Sequence, residues 1–258
     1  MPILEPPSSA TIVKLLLLGD SGTGKTGALA SLIKEGYHLH VLDFDNKIAG
    51  GILPIVVQRD CPDLIGHIDY EPLRDELRPT SMGPAPAGVP RAFTRGISLL
   101  DKWSDGSLPR EWGPHHILVL DSLTFCGDAA FNWARSMNPG SKEQRQWYYA
   151  AQQVMEGLVQ MITSDSFRTN VIVTAHVDWQ SRPDGTMKGF PTSIGSALNS
   201  TIPAYFENMA LTHIASGKRI IQTTPTALVD LKNPAAFKML PVLPIETGLA
   251  TFFRTLKE

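Results

Sequence analysis

The sequence has few of the features that mark specialised protein classes. Only two of its 258 residues are cysteines, Cys61 and Cys126, and they lie far apart and outside any metal-binding spacing. This excludes a disulfide-rich scaffold, and we expect reduced thiols in a cytoplasmic protein. The formal net charge is −2, so there is no basic excess, and any contact with nucleic acid must come from a local patch.

Long hydrophobic runs and targeting segments are also missing. No apolar run is long enough to cross a bilayer, so we expect no membrane partner. The first residues, 1–7, contain no basic stretch and do not resemble a signal peptide. The overall composition is that of an ordinary globular protein, and we expect a single domain over residues 1–258 with a short arm at 1–10.

What the sequence does contain is a phosphate-binding loop. Residues 19–26 read Gly-Asp-Ser-Gly-Thr-Gly-Lys-Thr and match the P-loop pattern G-x-x-x-x-G-K-[ST]. An apolar strand pattern precedes the loop, a helical pattern follows it, and the glycines let backbone N–H groups turn toward a phosphate. The candidate nucleotide-binding residues are Gly19, Asp20, Ser21, Gly22, Thr23, Gly24, Lys25, Thr26 and Gly27.

The loop and a later strand together predict a site for ATP and Mg²⁺. Lys25 supplies a positive charge for the β- and γ-phosphates, and the Thr26 hydroxyl is a ligand for Mg²⁺. The apolar strand pattern at 116–120 ends in Asp121, as a Walker B strand does, and we expect Asp121 to hold the metal with Thr26. Ser122, directly after it, has two interpretations: a contact with the metal-bound water or the γ-phosphate, and the favoured one, the N-cap of the next helix.

Two further strands end in polar residues. The strand pattern at 38–43 leads to Asp43 and Asp45, at the sheet edge where open α/β folds bind ligands. Within this strand, His38 and His40 alternate; a metal site is one interpretation, and partly solvated histidines are the favoured one. The strand pattern at 170–175 leads to His176, a candidate γ-phosphate sensor, with a purely structural histidine as the alternative.

The order of strands and helices predicts an α/β fold. We expect a three-layer P-loop NTPase with a mostly parallel central sheet, a RecA-like core and a C-terminal β-rich extension. Residues 72–91 are rich in Pro, Gly and Ala and predict a mobile insertion without regular structure. Other predicted elements are a strand within 63–70, helices at 92–103, 128–136, 144–162 and 248–256, and C-terminal strands at 207–214, 218–224 and 227–234.

A polar segment, residues 177–201, follows His176 and is predicted to be a long loop. It combines the cations Arg182 and Lys188 with the aromatic residues Trp179 and Phe190, a mixture that suits single-stranded nucleic acid. A solvated hairpin is the alternative interpretation. Three consecutive aromatic residues at 147–149 could also stack on bases, although core packing of two of them is favoured.

This order of parts resembles the RecA-like core ATPases. It looks most similar to the short RecA-core ATPases of bacteriophages that act as single-strand annealing recombination proteins. The resemblance covers about residues 11–241, and its more specific pieces are 171–176 and 231–238. It implies a homo-oligomer, a ring or a filament, with ATP at subunit interfaces. The implied partners are single-stranded DNA and a single-strand-binding protein.

The resemblance also implies roles for individual residues. Asp45 occupies the position of the acidic residue that activates water, where the RecA proteins have Glu, and His176 occupies their sensor position, where they have Gln. Lys232 matches a lysine that reaches the γ-phosphate of the neighbouring subunit, although Pro234 replaces the second basic residue. The implied DNA-binding residues, in two loops at 137–145 and 179–190, are Lys142, Arg145, Trp179, Arg182 and Lys188.

Three functions are consistent with these residues. The first is an ATPase that binds single-stranded DNA and supports phage recombination. The second is a P-loop kinase acting on a small molecule, and the third is a nucleotide-gated motor or regulatory ATPase without DNA affinity of its own. A kinase would need a lid with arginines, and the candidates are Arg74, Arg78, Arg91 and Arg95.

Overall fold

The computed structural model describes residues 11–81, 83–137, 140, 143–182 and 184–258. The arm at 1–10 and the candidate residue Lys142 lie outside the described residues. The strands are β1 (Lys14–Gly19), β2 (His38–Asp43), β3 (Ile68–Pro72), β4 (Leu77–Arg78), β5 (Ala85–Pro86), β6 (Gly113–Asp121), β7 (Thr169–Ala175), β8 (Val177–Ser181), β9 (Met187–Pro191), β10 (Asn208–Ala215), β11 (Lys218–Gln222) and β12 (Val242–Pro244). The α-helices are α1 (Lys25–Ala28), α2 (Ala30–Lys34), α3 (Ile52–Asp60), α4 (Ala92–Asp101), α5 (Leu123–Met137), α6 (Gln144–Thr163), α7 (Ser196–Thr201) and α8 (Gly248–Lys257).

Eight of these strands form one sheet in the order β12-β11-β10-β1-β7-β6-β2-β3. The six strands from β10 to β3 in this order run parallel to one another. At the other edge, β11 pairs antiparallel with both β10 and β12. The predicted C-terminal β-rich extension is therefore continuous with the central sheet. Strand β1 lies between β10 and β7, and its apolar residues are fully buried, as expected for a strand covered on both faces.

Helices cover both faces of the sheet and complete three layers. Along β1, Leu16 and Leu18 face a core formed with α4, α5 and α6, whereas Leu15 and Leu17 face a core formed with α2, α3 and α8. This alternation follows from the two-residue period of a strand. The predicted fold, an α/β P-loop NTPase with a mostly parallel central sheet, is confirmed.

Parallel strands bring their carboxyl ends to one edge of this sheet. Strands β1, β2, β6 and β7 end there in Gly19, Asp43, Asp121 and Ala175. The register pairs Asp43 with Asp121, and the backbone N–H of Phe44 donates to the Asp121 carbonyl at 2.8 Å. The polar strand ends that the sequence identified one by one are therefore neighbours in space.

Most of the predicted helices and strands are present, and several bounds differ. The helices predicted at 92–103, 144–162 and 248–256 correspond to α4, α6 and α8, and the helix predicted at 128–136 begins earlier, at Leu123. The strand predicted within 63–70 was only partly right. Residues Pro62–His67 form a 3₁₀ helix, with Pro62 at its first position, and β3 starts at Ile68.

The segment 72–91 is more regular than its composition predicted. Strands β4 and β5 pair as a short antiparallel hairpin, so the expectation of no regular structure was wrong. Pro86 has no backbone N–H to donate. The hydrogen bond next to it is donated instead by the Ala87 N–H to the Glu76 carbonyl at 2.8 Å, so the hairpin accommodates the proline.

Two other predictions for the second half of the chain were also wrong. Residues 177–201 are not a long loop: β8 and β9 form an antiparallel hairpin, and α7 follows, which agrees with the alternative interpretation. The strand predicted at 227–234 is reduced to two isolated bridges, Gly189 with Val229 and Met209 with Lys232, and β12 lies further along the chain. Within the described ranges, no helix has the length and hydropathy needed to cross a membrane.

Candidate nucleotide-binding site

The phosphate-binding loop connects β1 to α1 at the carboxyl edge of the sheet. Gly24 precedes α1 with φ of 103°, a backbone conformation that glycine adopts at little cost. Gly19 is needed for another reason: a Cβ there would lie 2.1 Å from the hydroxyl oxygen of Thr212 on β10. The loop therefore packs against the adjacent strand more closely than any side chain would permit.

A cavity of about 600 Å³ opens beside this loop. It is lined by the loop, the first three helices, the ends of several strands and the turns that follow them. The lining residues are Ser21, Gly22, Gly24, Lys25, Thr26, Gly27, Ala30, Lys34, Asp45, Lys47, Ile52, Val56, Arg59, Asp60, Asp121, His176, Arg219, Ile245 and Glu246. Six of the nine candidate nucleotide-binding residues are in this lining. Of the other three, Gly19 and Asp20 use their carbonyls to bind Lys25, and Thr23 bonds to Thr212 at 2.7 Å, which anchors the loop to β10.

Lys25 lies at the bottom of the cavity and is largely buried. Its Nζ donates to the carbonyl oxygens of Gly19 at 2.6 Å and Asp20 at 3.1 Å. Burial lowers the pKa of the Lys25 ammonium, while the carboxylates of Asp121 and Asp45 oppose that shift. Phosphate oxygens are better partners for an ammonium than neutral carbonyls, so this cation fits an anionic ligand in the cavity.

The Asp121 carboxylate is held between two hydroxyl groups. Thr26 Oγ1 donates to Oδ2 at 2.8 Å, and Thr174 Oγ1 donates to Oδ1. Asp121 is buried, and burial raises the pKa of its carboxyl although these hydrogen bonds act in the opposite direction. A carboxylate and a hydroxyl in contact are the oxygen donors that Mg²⁺ prefers, so Thr26 and Asp121 fit that ion.

Asp45 lies next to this pair, beyond the end of β2. Ser122 Oγ donates to Asp45 Oδ1 at 2.7 Å, and Lys47 Nζ is 3.8 Å from Oδ2. The Ser122 oxygen also accepts from the Phe125 N–H at 3.4 Å, so the predicted N-cap of α5 exists alongside the contact with Asp45. The other acidic residue of this strand, Asp43, is buried and accepts from the Lys47 and Ile48 N–H groups, which shapes the turn that carries Asp45.

His176 follows β7 and lines the same cavity. Its backbone N–H donates to Thr124 Oγ1 at 3.1 Å, and its ring lies edge to face with Phe125 at 6.0 Å. Burial and then the nearby Lys25 charge lower the pKa of the imidazole. A largely neutral His176 can accept or donate one hydrogen bond within the cavity, as a residue that senses a phosphate needs to do.

Lys232 is not at this site. Its Nζ donates to the carbonyl oxygens of Pro203 at 2.8 Å and Phe206 at 3.0 Å, and it is absent from the cavity lining. The ammonium therefore links the segment after β11 to the 3₁₀ turn that precedes β10. The implied role, in which Lys232 reaches a neighbouring subunit's phosphate, would require the ammonium to leave both carbonyls, and it stays a prediction.

The candidate DNA-binding residues fall into two groups. Trp179 is 39% exposed on the hairpin, and Arg182 at its tip and Arg145 at the start of α6 are exposed. In contrast, the Lys188 ammonium is buried and forms an ion pair with Asp230, so its predicted contact with DNA is not supported. The side chains of Tyr148 and Tyr149 on α6 are exposed, and the Tyr148 ring packs against Phe131 with ring centroids 4.6 Å apart.

Sequence reasoning missed several residues of the site. The apolar pattern of its strand hides Thr174, whose hydroxyl holds the Asp121 carboxylate. The signal that could have found it is a polar residue one position before the strand end. Arg219 and Ile245 come from β11 and the turn before α8, about 200 residues after the loop, and no local pattern marked them. The histidines considered as metal ligands are stacked on other rings: His38 on His67 and His40 on Trp112, each at 3.8 Å.

A phosphate-binding loop, a buried carboxylate at the end of an inner strand and a parallel sheet covered on both faces define a P-loop NTPase. A family model described as an AAA domain matches residues 11–235. The chain therefore belongs to this AAA-domain family of P-loop ATPases, whose members bind ATP and Mg²⁺. No curated protein matches the chain.

Proposed function

We propose that this protein hydrolyses ATP, binds single-stranded DNA and supports phage DNA recombination by annealing. The single observation that carries the DNA part is the position of His176 between the cavity and the hairpin. Its ring lines the cavity, and β8 begins with the next residue. The other end of the hairpin returns to the same point, because the Thr192 N–H donates to the His176 carbonyl at 2.8 Å.

This connection would link the nucleotide to DNA. Thr124 Oγ1 donates to the Thr192 carbonyl and accepts from the His176 N–H, so the hairpin base, α5 and the sensor candidate form one hydrogen-bonded unit. A hydrogen bond from His176 to ATP would favour one position of this unit. Trp179 and Arg182, carried by the hairpin, supply the aromatic surface and the cation that single strands bind.

The chemistry proposed for the cavity is attack of water on the γ-phosphorus of ATP. Asp45 is the residue that would orient the water and accept its proton, and Lys25 would neutralise charge on the phosphates. When bound by Thr26 and Asp121, Mg²⁺ would supply further positive charge at the phosphate oxygens. An aspartate is one methylene shorter than the glutamate of the RecA proteins, and slow hydrolysis is expected.

We also propose a homo-oligomer, a ring or a filament, with ATP at subunit interfaces. Ile52, which lines the cavity, and Ile55 on the same helix are 52% and 60% exposed. Apolar residues at the rim of a ligand site are suited to burial by another subunit. A single-strand-binding protein is a further proposed partner, and the cytoplasm of a bacterial host is the proposed location.

The deciding experiment is ATP turnover with and without single-stranded DNA, alongside the mass of the protein in solution. We expect turnover to rise with a thymidine oligonucleotide and to rise less with duplex of equal length. Lys25→Ala should abolish ATP binding, and Asp45→Asn should retain ATP and lose turnover. Turnover that does not respond to DNA would favour a motor or regulatory ATPase, and phosphate transfer to a small acceptor would identify a kinase.

A further inference from the structure

Arg219 reaches the phosphate-binding loop from an antiparallel strand near one edge of the sheet. It lies on β11, two strands away from β1, and its Nε donates to the Gly22 carbonyl at 2.9 Å. Its Cδ is also 3.1 Å from the point where a Cβ of Gly24 would lie. The side chain therefore extends over the loop and contributes to the wall of the cavity that Asp45 and His176 also line.

The direction of this side chain follows from the strand. Arg219 and Ile221 lie on the same face of β11, and Ile221 is buried in the core with α2 and α8. Lys218 and Ile220 point to the other face. The face of the sheet that carries α1 is thus also the face of Arg219, which places the guanidinium beside the helix that follows the loop.

Most cations around the cavity already have carboxylate partners. Lys34 and Arg59 both pair with Asp60, at 2.6 Å and 2.5 Å, and Lys47 lies 3.8 Å from Asp45. Among the described residues, Arg219 has no carboxylate within 4.0 Å, and its one hydrogen bond given by the structure uses Nε. The two terminal nitrogens are therefore available for a ligand in the cavity.

We infer that Arg219 is a phosphate-binding residue, supplied within the same chain, for the triphosphate of the bound nucleotide. This inference rests on the proposed ATPase function. A guanidinium binds phosphate oxygens with two parallel hydrogen bonds, which an ammonium does not. A triphosphate carries more negative charge than Lys25 and one Mg²⁺ neutralise, and Arg219 supplies additional positive charge from the same chain.

The test compares binding of ATP and of inorganic tripolyphosphate to three variants. Arg219→Gln keeps an N–H donor for Gly22 but removes the charge, and Arg219→Lys keeps the charge without the planar group. Lys218→Ala is the matched control, because it removes one charge at the adjacent position on the opposite face. We expect Arg219→Gln to weaken both ligands about tenfold, Arg219→Lys to weaken them less, and Lys218→Ala to leave them unchanged.

Each outcome has a defined meaning. Wild-type affinity in Arg219→Gln, or an equal loss in Lys218→Ala, would overturn the role of Arg219 while leaving the ATPase proposal intact. Failure of the wild-type protein to bind either ligand would overturn both. Urea unfolding of the ligand-free variants shows whether a substitution damages the fold. A loss of affinity that comes with a damaged fold, rather than from the missing charge, would also count against the inference.

Discussion

Ser122 Oγ donates a hydrogen bond of 2.7 Å to Asp45 Oδ1, which connects the residue after β6 to the turn after β2. The same serine is fully buried and begins α5. Two neighbouring parallel strands thereby fix the position of one carboxylate. If Asp45 orients the attacking water, then Ser122 is a positioning residue for that reaction.

Replacing Ser122 with alanine should lower kcat without changing ATP affinity. The loss of one hydrogen bond lets the Asp45 carboxylate leave its position, and we expect kcat to fall about tenfold, as for a displaced general base. ATP binding, measured separately, should stay within twofold because Ser122 does not line the cavity. Ser98→Ala, which removes an exposed hydroxyl from α4, is the control. An unchanged kcat would mean that Ser122 does not position the Asp45 carboxylate for the reaction.

Replacing Asp121 with asparagine should stabilise the free protein and remove Mg²⁺-dependent turnover. Burial raises the pKa of the Asp121 carboxyl above its ordinary value of 3.8, so the charged form is less favourable in the folded protein than in the unfolded chain. An amide retains hydrogen bonds with Thr26 and Thr174 and has no charge. At pH 7 we expect the free energy of unfolding to rise by about 1 kcal/mol.

Urea unfolding as a function of pH checks this assignment. The difference between Asp121→Asn and the wild type should be small near pH 4 and should grow as the pH rises, because only the wild-type carboxyl loses its proton. Asp63→Asn, at an exposed position, should show no such trend. A destabilised asparagine variant with unchanged turnover would mean that the Asp121 charge is neither a cost to the fold nor part of the site.

The phosphate-binding part of the site was predictable from local sequence patterns, and the site residues contributed by distant parts of the chain were not. The loop at 19–26, Asp121 and His176 follow apolar runs, and the rule that parallel strands end at one edge brings them together. Arg219 is separated from Gly22 by 197 positions, and its side chain lies there because of a sheet order that no local pattern encodes.

The same reason explains why the surroundings of two lysines were not predictable from the sequence. Lys188 was grouped with Arg182 because both lie in one polar segment, but its partner, Asp230, is 42 residues away. Arg182 lies in the turn after β8 and is exposed, whereas Lys188 lies on β9, where its side chain is buried against Asp230. Lys232 binds backbone carbonyls of a turn that the sequence did not place beside it.

A cluster of histidines at the opposite edge of the sheet predicts sensitivity to acid. His40 Nε2 is 3.0 Å from His116 Nδ1, and the His38 ring stacks on that of His116 at 5.1 Å. Burial and the neighbouring histidines lower the pKa of His116 from 6.5 to about 4. Below pH 6.5 the unfolded chain therefore binds a proton that the folded protein does not, and stability should fall as the pH drops toward 4.

His116→Gln should reduce this loss of stability. An amide can keep a hydrogen bond with His40 and does not titrate, so we expect the fall in unfolding free energy between pH 6.5 and 4 to shrink by about 1–2 kcal/mol, a value reduced for partial solvent exposure. The measurement is thermal or urea unfolding at several pH values. His115→Gln, at the exposed neighbouring position, is the control, and an equal effect there would assign the acid sensitivity to other groups.

Arg182 and Lys188 should respond differently to substitution, although both are cations of one hairpin. Arg182 is exposed, so Arg182→Ala should weaken binding of a thymidine oligonucleotide and lower the slope of log Kd against log salt by about 1. Lys188 is buried with its ammonium on Asp230, so Lys188→Ala should leave that slope unchanged and destabilise the fold by about 1 kcal/mol. Arg168→Ala, which removes an exposed cation just before β7 at the opposite edge of the sheet, controls for general loss of charge. If all three variants lowered the slope equally, DNA would be responding to overall charge rather than to the hairpin, and the connection through His176 would have no role in binding.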